Sequence, residues 1–382
     1  MTLRYPDIFP GFVCTGSACE DNCCKMGWDI EIDENTLDYY RSLDTDLGRR
    51  LCGNIYEEEG CFYMSQPDGC PFLSGEGLCS VQQACGAEHI SEICREHPRF
   101  YEWFGDYKEA GLGLCCEEVS RLVLTHERPL LFTEKQTDEP DDDLEFDSGI
   151  LAAVKDLRDR LIDVAQDRGF TLLQRLVILA YCAEDIGEAM YGEDTERLRQ
   201  LSGMLAIDGF RMEIVIQAQQ DAAEAAKSHE KGRTKEQLTK HMLHMFSSMG
   251  YMGKLGKSFD RERFSVEKIL GAEKKFSGEY APYQYELENV LVYFLYRYLI
   301  KSVRDYSAEE HLLSAVYLTL GLRWLFLKEY AESGSLPDIG RRIFLAKEFS
   351  KEVEYDSDNM DIIYDTIQQD TAVRDTLRGL CM

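Results

Sequence analysis

Residues 14–28 read CTGSACEDNCCKMGW and contain four cysteines, Cys14, Cys19, Cys23 and Cys24. Thiols this close in sequence meet at one point only when something binds them there. The adjacent residues Cys23 and Cys24 do not readily form a disulfide with each other. The stretch leaves two alternatives open: two disulfides to distant partners, or ligation of a soft metal or an iron-sulfur centre.

The cysteines of this chain are concentrated near its N-terminus. Of the 14 cysteines in 382 residues, all but Cys182 and Cys381 precede residue 117. A chain of this length has ample material for a hydrophobic core and does not need disulfides to compensate for small size. The sulfur chemistry therefore belongs to one N-terminal module.

The sequence gives no sign of export. Its first residues, MTLRYPDIFPGFVC, contain one basic residue and no apolar core of a signal peptide, and no later stretch offers 18 uncharged apolar residues. We therefore expect a cytoplasmic protein without membrane insertion. In a reducing compartment, clustered cysteines are more often metal ligands or catalytic thiols than disulfides.

The composition is strongly acidic. Seventy Asp and Glu against 42 Lys and Arg give a formal net charge of −28 at pH 7. Nucleic acid is an unsuitable partner for such a chain, because its phosphates require a basic surface. The charge fits a lysine-rich partner, although it also fits a purely solubilising role.

Periodicity predicts a mainly α protein in two parts: a Cys-rich α+β metal module with short strands at residues 1–135, then a helical bundle at residues 149–382. The acidic, proline-containing segment at 136–148 reads as a linker. Apolar spacing predicts helices over 150–164, 172–183, 290–300 and 308–332. In the module, the apolar/acidic alternation that begins at residue 29 predicts one short strand, and a helix with Asn35 or Thr36 as its cap follows it; CFYM at 61–64 predicts another short strand.

A second dense cysteine stretch, CPFLSGEGLCSVQQACGAEHISEICREHPR, covers residues 70–99. The turn SGEG between Cys70 and Cys79 predicts a hairpin that brings both sulfurs to one side. Cys94 follows a short helical run that Pro98 stops. Further on, Cys115 and Cys116 precede an apolar helical stripe, and a helix N-terminus favours thiolates there.

Several nucleotide and metal motifs fail when their spacing is checked. GYMGKLGKS at 250–258 has Tyr251 where a phosphate loop requires glycine, and GLGLC at 111–115 is a lone GxG. A radical S-adenosylmethionine motif, CxxxCxxC, would begin at Cys19 and Cys23 but meets Met26. The histidines form no HExxH or comparable zinc array, and His89 and His97 are minor ligand candidates.

Eight candidate metal ligands remain once the scattered cysteines Cys52, Cys61, Cys85, Cys115, Cys182 and Cys381 are set aside. These eight are Cys14, Cys19, Cys23, Cys24, Cys70, Cys79, Cys94 and Cys116. Four thiolates suffice for one [4Fe-4S] cluster or one tetrahedral Zn²⁺. Eight would allow two sites, or one site with accessory thiols.

The order of these blocks resembles the flagellin lysine-N-methylase (FliB) family, which overlaps the CxxCxxCC group of zinc- and iron-chelating proteins. The resemblance rests on the first cysteine cluster with Gly27 and Trp28, on CPFL at 70–73, CREHPR at 94–99, CEEVSRL at 116–122 and LENVLVYFLYRYL at 287–299. Two features depart from the family pattern. The first cluster is more widely spaced than CxxCxxCC, and Glu117 follows Cys116 where proline is usual.

The resemblance implies a bacterial cytoplasmic enzyme that transfers a methyl group from S-adenosylmethionine to lysine side chains of flagellin, with a [4Fe-4S] cluster involved. For the proton that lysine must lose, Glu288 and Asn289 at the start of the buried helix are candidate catalytic residues, and Tyr293 is a weaker one. The alternative is that these side chains have no catalytic role and only cap or flank the helix. The alternative function is a non-catalytic interaction protein whose module is stapled by Zn²⁺.

Overall fold

A computed structural model describes residues 1–25, 29–64, 69–141, 146–227, 236, 239, 240, 242, 266–355, 357–369 and 377. The stretch at 250–258, like Gly27, Trp28 and Cys381, lies outside these residues. The predicted fold class is confirmed: short strands and short helices occupy the N-terminal part, and long helices follow.

Seven strands form two sheets in the described N-terminal part. They are β1 (Thr2–Pro6), β2 (Ile30–Glu31), β3 (Ile55–Glu58), β4 (Cys61–Met64), β5 (Arg99–Phe104), β6 (Tyr107–Leu112) and β7 (Phe132–Gln136). The larger sheet has the order β5-β6-β1-β7, and the smaller one has the order β2-β4-β3. The strand predicted from the alternation that begins at residue 29 corresponds to β2, and the one predicted at 61–64 corresponds to β4.

The larger sheet includes strands that lie far apart in the sequence. β1 runs parallel to β6, with Thr2 opposite Tyr107, and antiparallel to β7, with Thr2 opposite Gln136. β5 and β6 form an antiparallel hairpin in which Arg99 lies opposite Leu112. The strand β7 thus reaches the first residue of the predicted linker.

The N-terminal part carries five short α-helices among its described residues. They are α1 (Glu34–Ser42), α2 (Asp46–Gly53), α3 (Ser80–Cys85), α4 (Glu92–Glu96) and α5 (Glu117–Leu124). The cap of α1 is Asp33, whose side chain accepts a hydrogen bond from the Thr36 N–H, so the predicted cap at Asn35 or Thr36 was wrong by a few residues. Asp33 was passed over because its alternating neighbours suggested a longer strand.

Long helices make up the described C-terminal part. They are α6 (Ser148–Ala165), α7 (Leu172–Tyr191), α8 (Thr195–Leu205), α9 (Asp208–Lys227), α10 (Val266–Tyr280), α11 (Gln284–Tyr298), α12 (Ser302–Asp305), α13 (Ala308–Ser333), α14 (Ile339–Glu354) and α15 (Ser357–Gln369). The four helices predicted from apolar spacing are confirmed as α6, α7, α11 and α13. Side-chain caps start several of them; Thr171 and Gln174 form a capping box at α7.

The helices and the larger sheet share one hydrophobic core. It includes Phe104 and Leu112 of the sheet, Val119 of α5, and Leu157 and Leu291 of the helical part. A smaller cluster, which includes Leu37, Leu51 and Phe72, belongs to the N-terminal part alone. The division into a module at 1–135, a linker at 136–148 and a helical domain at 149–382 stays a prediction, and the shared core packs the first part against the helices.

No helix in the described ranges combines the length and the apolar character required to cross a bilayer.

Candidate metal centre

A cavity of about 480 Å³ lies in the N-terminal part and is lined by all eight predicted ligand cysteines. Its wall also includes Cys115, which the sequence analysis set aside as scattered. Cys52, Cys61, Cys85 and Cys182 do not line the cavity. The structure therefore brings together thiols that lie up to about a hundred positions apart in the sequence.

Backbone contacts hold the first two cysteine stretches against each other. The Cys70 N–H donates to the carbonyl of Cys24 at 2.7 Å. Asn22 is buried, and its side-chain oxygen accepts from the Cys24 N–H at 2.9 Å while its amide nitrogen donates to the Gly77 carbonyl at 3.3 Å. These bonds fix the loop that carries Cys23 and Cys24 beside the loop between Cys70 and Cys79.

The predicted hairpin between Cys70 and Cys79 is present in short form. Leu73 and Cys79 form an isolated antiparallel bridge, and the chain turns through Gly77, whose φ of +76° favours glycine. This turn brings Cys70 and Cys79 to the same wall of the cavity.

Backbone N–H groups point at several of the sulfurs. Cys79 caps α3, and its Sγ accepts from the Gln82 N–H at 3.5 Å. Burial raises the pKa of Cys70 and raises that of Cys116, at the N-cap position of α5, to about 11; the N–H groups of Phe72 and Leu73 at Cys70, and those of Glu118 and Val119 at Cys116, act in the opposite direction. N–H donors around sulfur are a common feature of metal-thiolate and iron-sulfur sites.

The thiols act on one another electrostatically. A hydrogen bond from Cys24 lowers the pKa of Cys23 to about 7, while the same bond, burial and the negative charges of Cys23, Cys70 and Cys94 raise that of Cys24. Burial, together with neighbouring thiolates, raises the pKa of Cys94 to about 11, although the residue keeps solvent contact through the cavity opening. A set of thiolates at these positions would repel one another unless a cation joined them.

Among the described residues, no three Cys, His, Asp or Glu side chains converge closely enough to hold a metal ion. The thiols surround the cavity rather than meet at a point. Their number, their type and their N–H donors match a soft metal or an iron-sulfur group, so the fit is one of donor chemistry.

Two lysines from the helical part contact the first cysteine loop. Lys347 and Lys351 of α14 both pair with Asp21, and the Lys347–Asp21 distance is 2.9 Å. Both lysines also contact Glu348, at 3.2 and 3.4 Å. The side chains of both lysines are almost fully buried, and their ion pairs with Asp21 hold the loop between Cys19 and Cys23 against α14. No local pattern predicts the two pairs with Asp21, because Asp21 lies more than 300 positions before both lysines.

The two histidine candidates lie in different places. His97 lines the cavity, and burial, with the charge of Lys351, lowers its pKa to about 4, so its ring is neutral near pH 7. His89 does not line the cavity; its ring stacks on that of Tyr39 with 3.8 Å between the centroids.

The predicted catalytic residues Glu288 and Asn289 are buried in α11 and do not line the cavity. The Glu288 carboxylate pairs with Arg168 at 2.9 Å and with Arg175 at 2.7 Å. The Asn289 amide nitrogen donates to the carbonyls of Val123 and His126 at the end of α5. These contacts anchor α11 to its neighbours, and a catalytic role for either residue stays a prediction.

Tyr293, the weaker candidate, is also buried. Its hydroxyl donates to Glu354 at 2.7 Å and accepts from Arg297 at 2.6 Å. The hydroxyl also accepts from the Leu114 N–H at 3.3 Å, one residue before the cavity residue Cys115. Tyr293 therefore supports the backbone that leads into Cys115 and Cys116.

Comparison with curated proteins finds relatives in Salmonella. The chain is 32% identical over 143 residues to a lysine-N-methylase of Salmonella typhimurium, a match that covers 35% of each chain. A lysine-N-methylase of Salmonella choleraesuis is 31% identical over 143 residues, with the same coverage. The flagellar biosynthetic protein FliU of Salmonella muenchen is 31% identical over 145 residues, which are 36% of this chain and 85% of that protein.

The matched region spans about a third of the length of the two lysine-N-methylases. No solved structure matches the chain. The family model for the FliB lysine N-methylase C-terminal domain matches residues 158–382, which is more than half of the chain. The protein therefore belongs to the FliB lysine N-methylase family.

Proposed function

We propose that this protein transfers a methyl group from S-adenosylmethionine to lysine side chains of a protein substrate, and that its cysteine cavity holds a metal centre. Support for the reaction comes from the family and from relatives that are named lysine-N-methylases. Flagellin is the proposed substrate because one relative is named a flagellar biosynthetic protein. The protein would work in the cytoplasm, where a reducing environment keeps its thiols available.

The observation that carries the metal proposal is the meeting of eight cysteines at one cavity. Cys23, Cys70 and Cys94 raise the pKa of Cys24, and Cys79 acts in the same direction on Cys70 and Cys94. Cys19 and Cys23 likewise raise the pKa of Cys116, so Cys23 acts on both groups of thiols. Either group offers enough thiols to contribute most ligands of a four-coordinate metal.

A bound [4Fe-4S] cluster would supply redox or Lewis-acid chemistry, whereas a bound Zn²⁺ would supply Lewis-acid chemistry or only structural support. The cavity cysteines listed above would hold either group. The backbone N–H donors around Cys70, Cys79 and Cys116 would stabilise negative charge on their sulfurs.

Polar methyl transfer places simple demands on the protein. The lysine amine must first lose its proton; its nitrogen lone pair then attacks the methyl carbon, and the carbon–sulfur bond breaks with its electrons remaining on sulfur. A net charge of −28 favours encounter with a lysine-bearing partner. Glu288 stays the predicted proton acceptor and Asn289 a predicted polar partner beside it; to act, each must leave its present contacts, Glu288 with Arg168 and Arg175 and Asn289 with the carbonyls of Val123 and His126.

The experiment is a methyl-transfer assay with anaerobically purified protein, isotope-labelled S-adenosylmethionine and flagellin from the same organism. We expect methylated lysines in flagellin by peptide mass spectrometry. A denatured sample of the same protein and an unrelated lysine-rich protein are the controls. Absence of transfer by a protein that contains Zn²⁺, is colourless and does not bind the donor would contradict the proposal and favour the interaction module.

A further inference from the structure

Arg99 is a cationic side chain in the wall of the cysteine cavity. It begins β5 directly after Pro98, and its guanidinium lies over the ring of Phe12, 5.2 Å from the centroid. Phe12 also lines the cavity, two residues before Cys14. The stacking holds the guanidinium beside the start of the first cysteine stretch.

Within the described ranges of the chain, no carboxylate pairs with Arg99 and no hydrogen-bond acceptor receives its N–H groups. The other cavity arginine, Arg95, lies 3.6 Å from Glu96. Buried arginines elsewhere have carboxylate partners, such as Arg158 with Glu109 and Arg342 with Glu286. In a chain with 70 acidic residues, the Arg99 guanidinium is therefore available to bind an anionic ligand.

The remainder of the wall suits the rest of a small molecule. Apolar side chains, including Ile30, Ile32, Leu51 and Phe72, line the side formed by the smaller core cluster. A cavity of about 480 Å³ with a largely apolar wall, whose charged side chains are Asp21, Arg95, Arg99 and Glu117, falls in the size range of small-molecule sites.

We propose that Arg99 binds the α-carboxylate of the methyl donor, so that S-adenosylmethionine binds inside the cysteine cavity with its carboxylate at the Phe12–Arg99 stack. The inference rests on the proposed function, because it takes S-adenosylmethionine as the donor. A guanidinium offers two parallel N–H donors to a carboxylate, which fixes orientation as well as affinity.

The test compares two ligands that differ by the amino-acid moiety. S-adenosylhomocysteine carries the carboxylate, whereas 5′-methylthioadenosine lacks it. Affinities are measured by calorimetry on the full-length protein, purified anaerobically, for the wild type, Arg99→Gln, Arg99→Lys and Arg41→Gln. Arg41 is the matched control because its guanidinium also stacks on a phenylalanine, Phe62, outside the cavity.

We expect Arg99→Gln to weaken binding of S-adenosylhomocysteine by about 10- to 100-fold, because a charge-assisted hydrogen-bonded pair is lost. The affinity for 5′-methylthioadenosine should change by no more than about two-fold. Arg99→Lys should give an intermediate loss, because an ammonium keeps the charge but not the paired donors. Arg41→Gln should change neither affinity.

The inference is overturned if the wild type binds S-adenosylhomocysteine and Arg99→Gln lowers the affinity for both ligands equally or for neither. The proposed function is unaffected by that result. It is also overturned if Arg99→Gln lowers metal content without changing the preference between the two ligands, since Arg99 would then only offset thiolate charge. Failure of the wild type to bind either ligand contradicts the proposed function itself. Should Arg99→Gln fail to fold, the ligand preference of Arg99→Lys decides.

Discussion

A buried ion pair between Arg158 and Glu109 links the helical part of the molecule to the larger sheet. Arg158 lies on α6 and Glu109 on β6, and both side chains are fully buried. Arg158 donates to Glu109 Oε2 at 2.7 Å and to the Tyr296 carbonyl on α11 at 3.1 Å. One guanidinium thus connects the sheet to two helices of the shared core.

We expect Glu109→Ala to lower the free energy of unfolding by about 3–5 kcal/mol, because it leaves a buried guanidinium without its counter-charge. Urea denaturation, monitored by circular dichroism, measures the free energy of unfolding. The matched control is Glu102→Ala on β5, which breaks the more exposed pair with Arg304, whose atoms are 3.3 Å apart, and should cost no more than about 1 kcal/mol. Equal losses for the two variants would show that the buried pair has no special role.

Among the secondary-structure elements, α1 and α4 are joined through one side chain. Asp33 Oδ1 accepts from the Thr36 N–H at 2.9 Å and so caps α1, while Oδ2 accepts from the Glu92 N–H at 2.9 Å, the first residue of α4. The helix α4 carries the cavity residue Cys94. Asp33 therefore positions one wall of the cysteine cavity.

Asp33→Ala should destabilise the protein by about 1–2 kcal/mol, the upper part of the range for a lost N-cap, and should speed hydrogen exchange at the Glu92 amide. Thr45→Ala removes the ordinary cap of α2, whose oxygen accepts from the Gly48 N–H, and serves as the control without a link to α4. Unchanged exchange at Glu92 in Asp33→Ala would contradict the linking role.

The same cap has a pH dependence. Burial acts to raise the pKa of Asp33, but the N–H groups of Glu92 and Thr36 outweigh it and hold the pKa below the ordinary value of 3.8. The stabilisation by Asp33 is therefore complete above about pH 3.8 and is lost as the pH falls through the lower native value. The difference between wild type and Asp33→Ala should shrink over that acidic range.

Over the whole molecule, local patterns predicted several of the elements and missed the pairings between strands. Apolar spacing located α6, α7, α11 and α13, because each buries a face of regular period. It did not reveal that β1 pairs with β7, since neither TLRYP nor FTEKQ has a partner nearby in sequence.

The residues of the candidate site were likewise predicted from the sequence only in part. Cysteine density identified the eight thiols, but Cys115 was set aside because proximity to the cavity depends on tertiary packing. The Lys347 and Lys351 contacts to Asp21 and the stacking of Arg99 on Phe12 likewise exist only once α14, β5 and the first cysteine loop are in place. Charges that meet across hundreds of positions leave no periodic trace in a sequence.

We propose that the cysteine cavity holds a metal centre, and quantitation of metal and acid-labile sulfide in anaerobically purified protein tests this most directly. We expect bound iron with sulfide, or bound zinc, in the wild type, and its loss in Cys23→Ser/Cys24→Ser. Cys52→Ser/Cys61→Ser, which changes two cysteines outside the cavity, should retain it. A wild type without metal, or equal metal content in both double variants, would contradict the account.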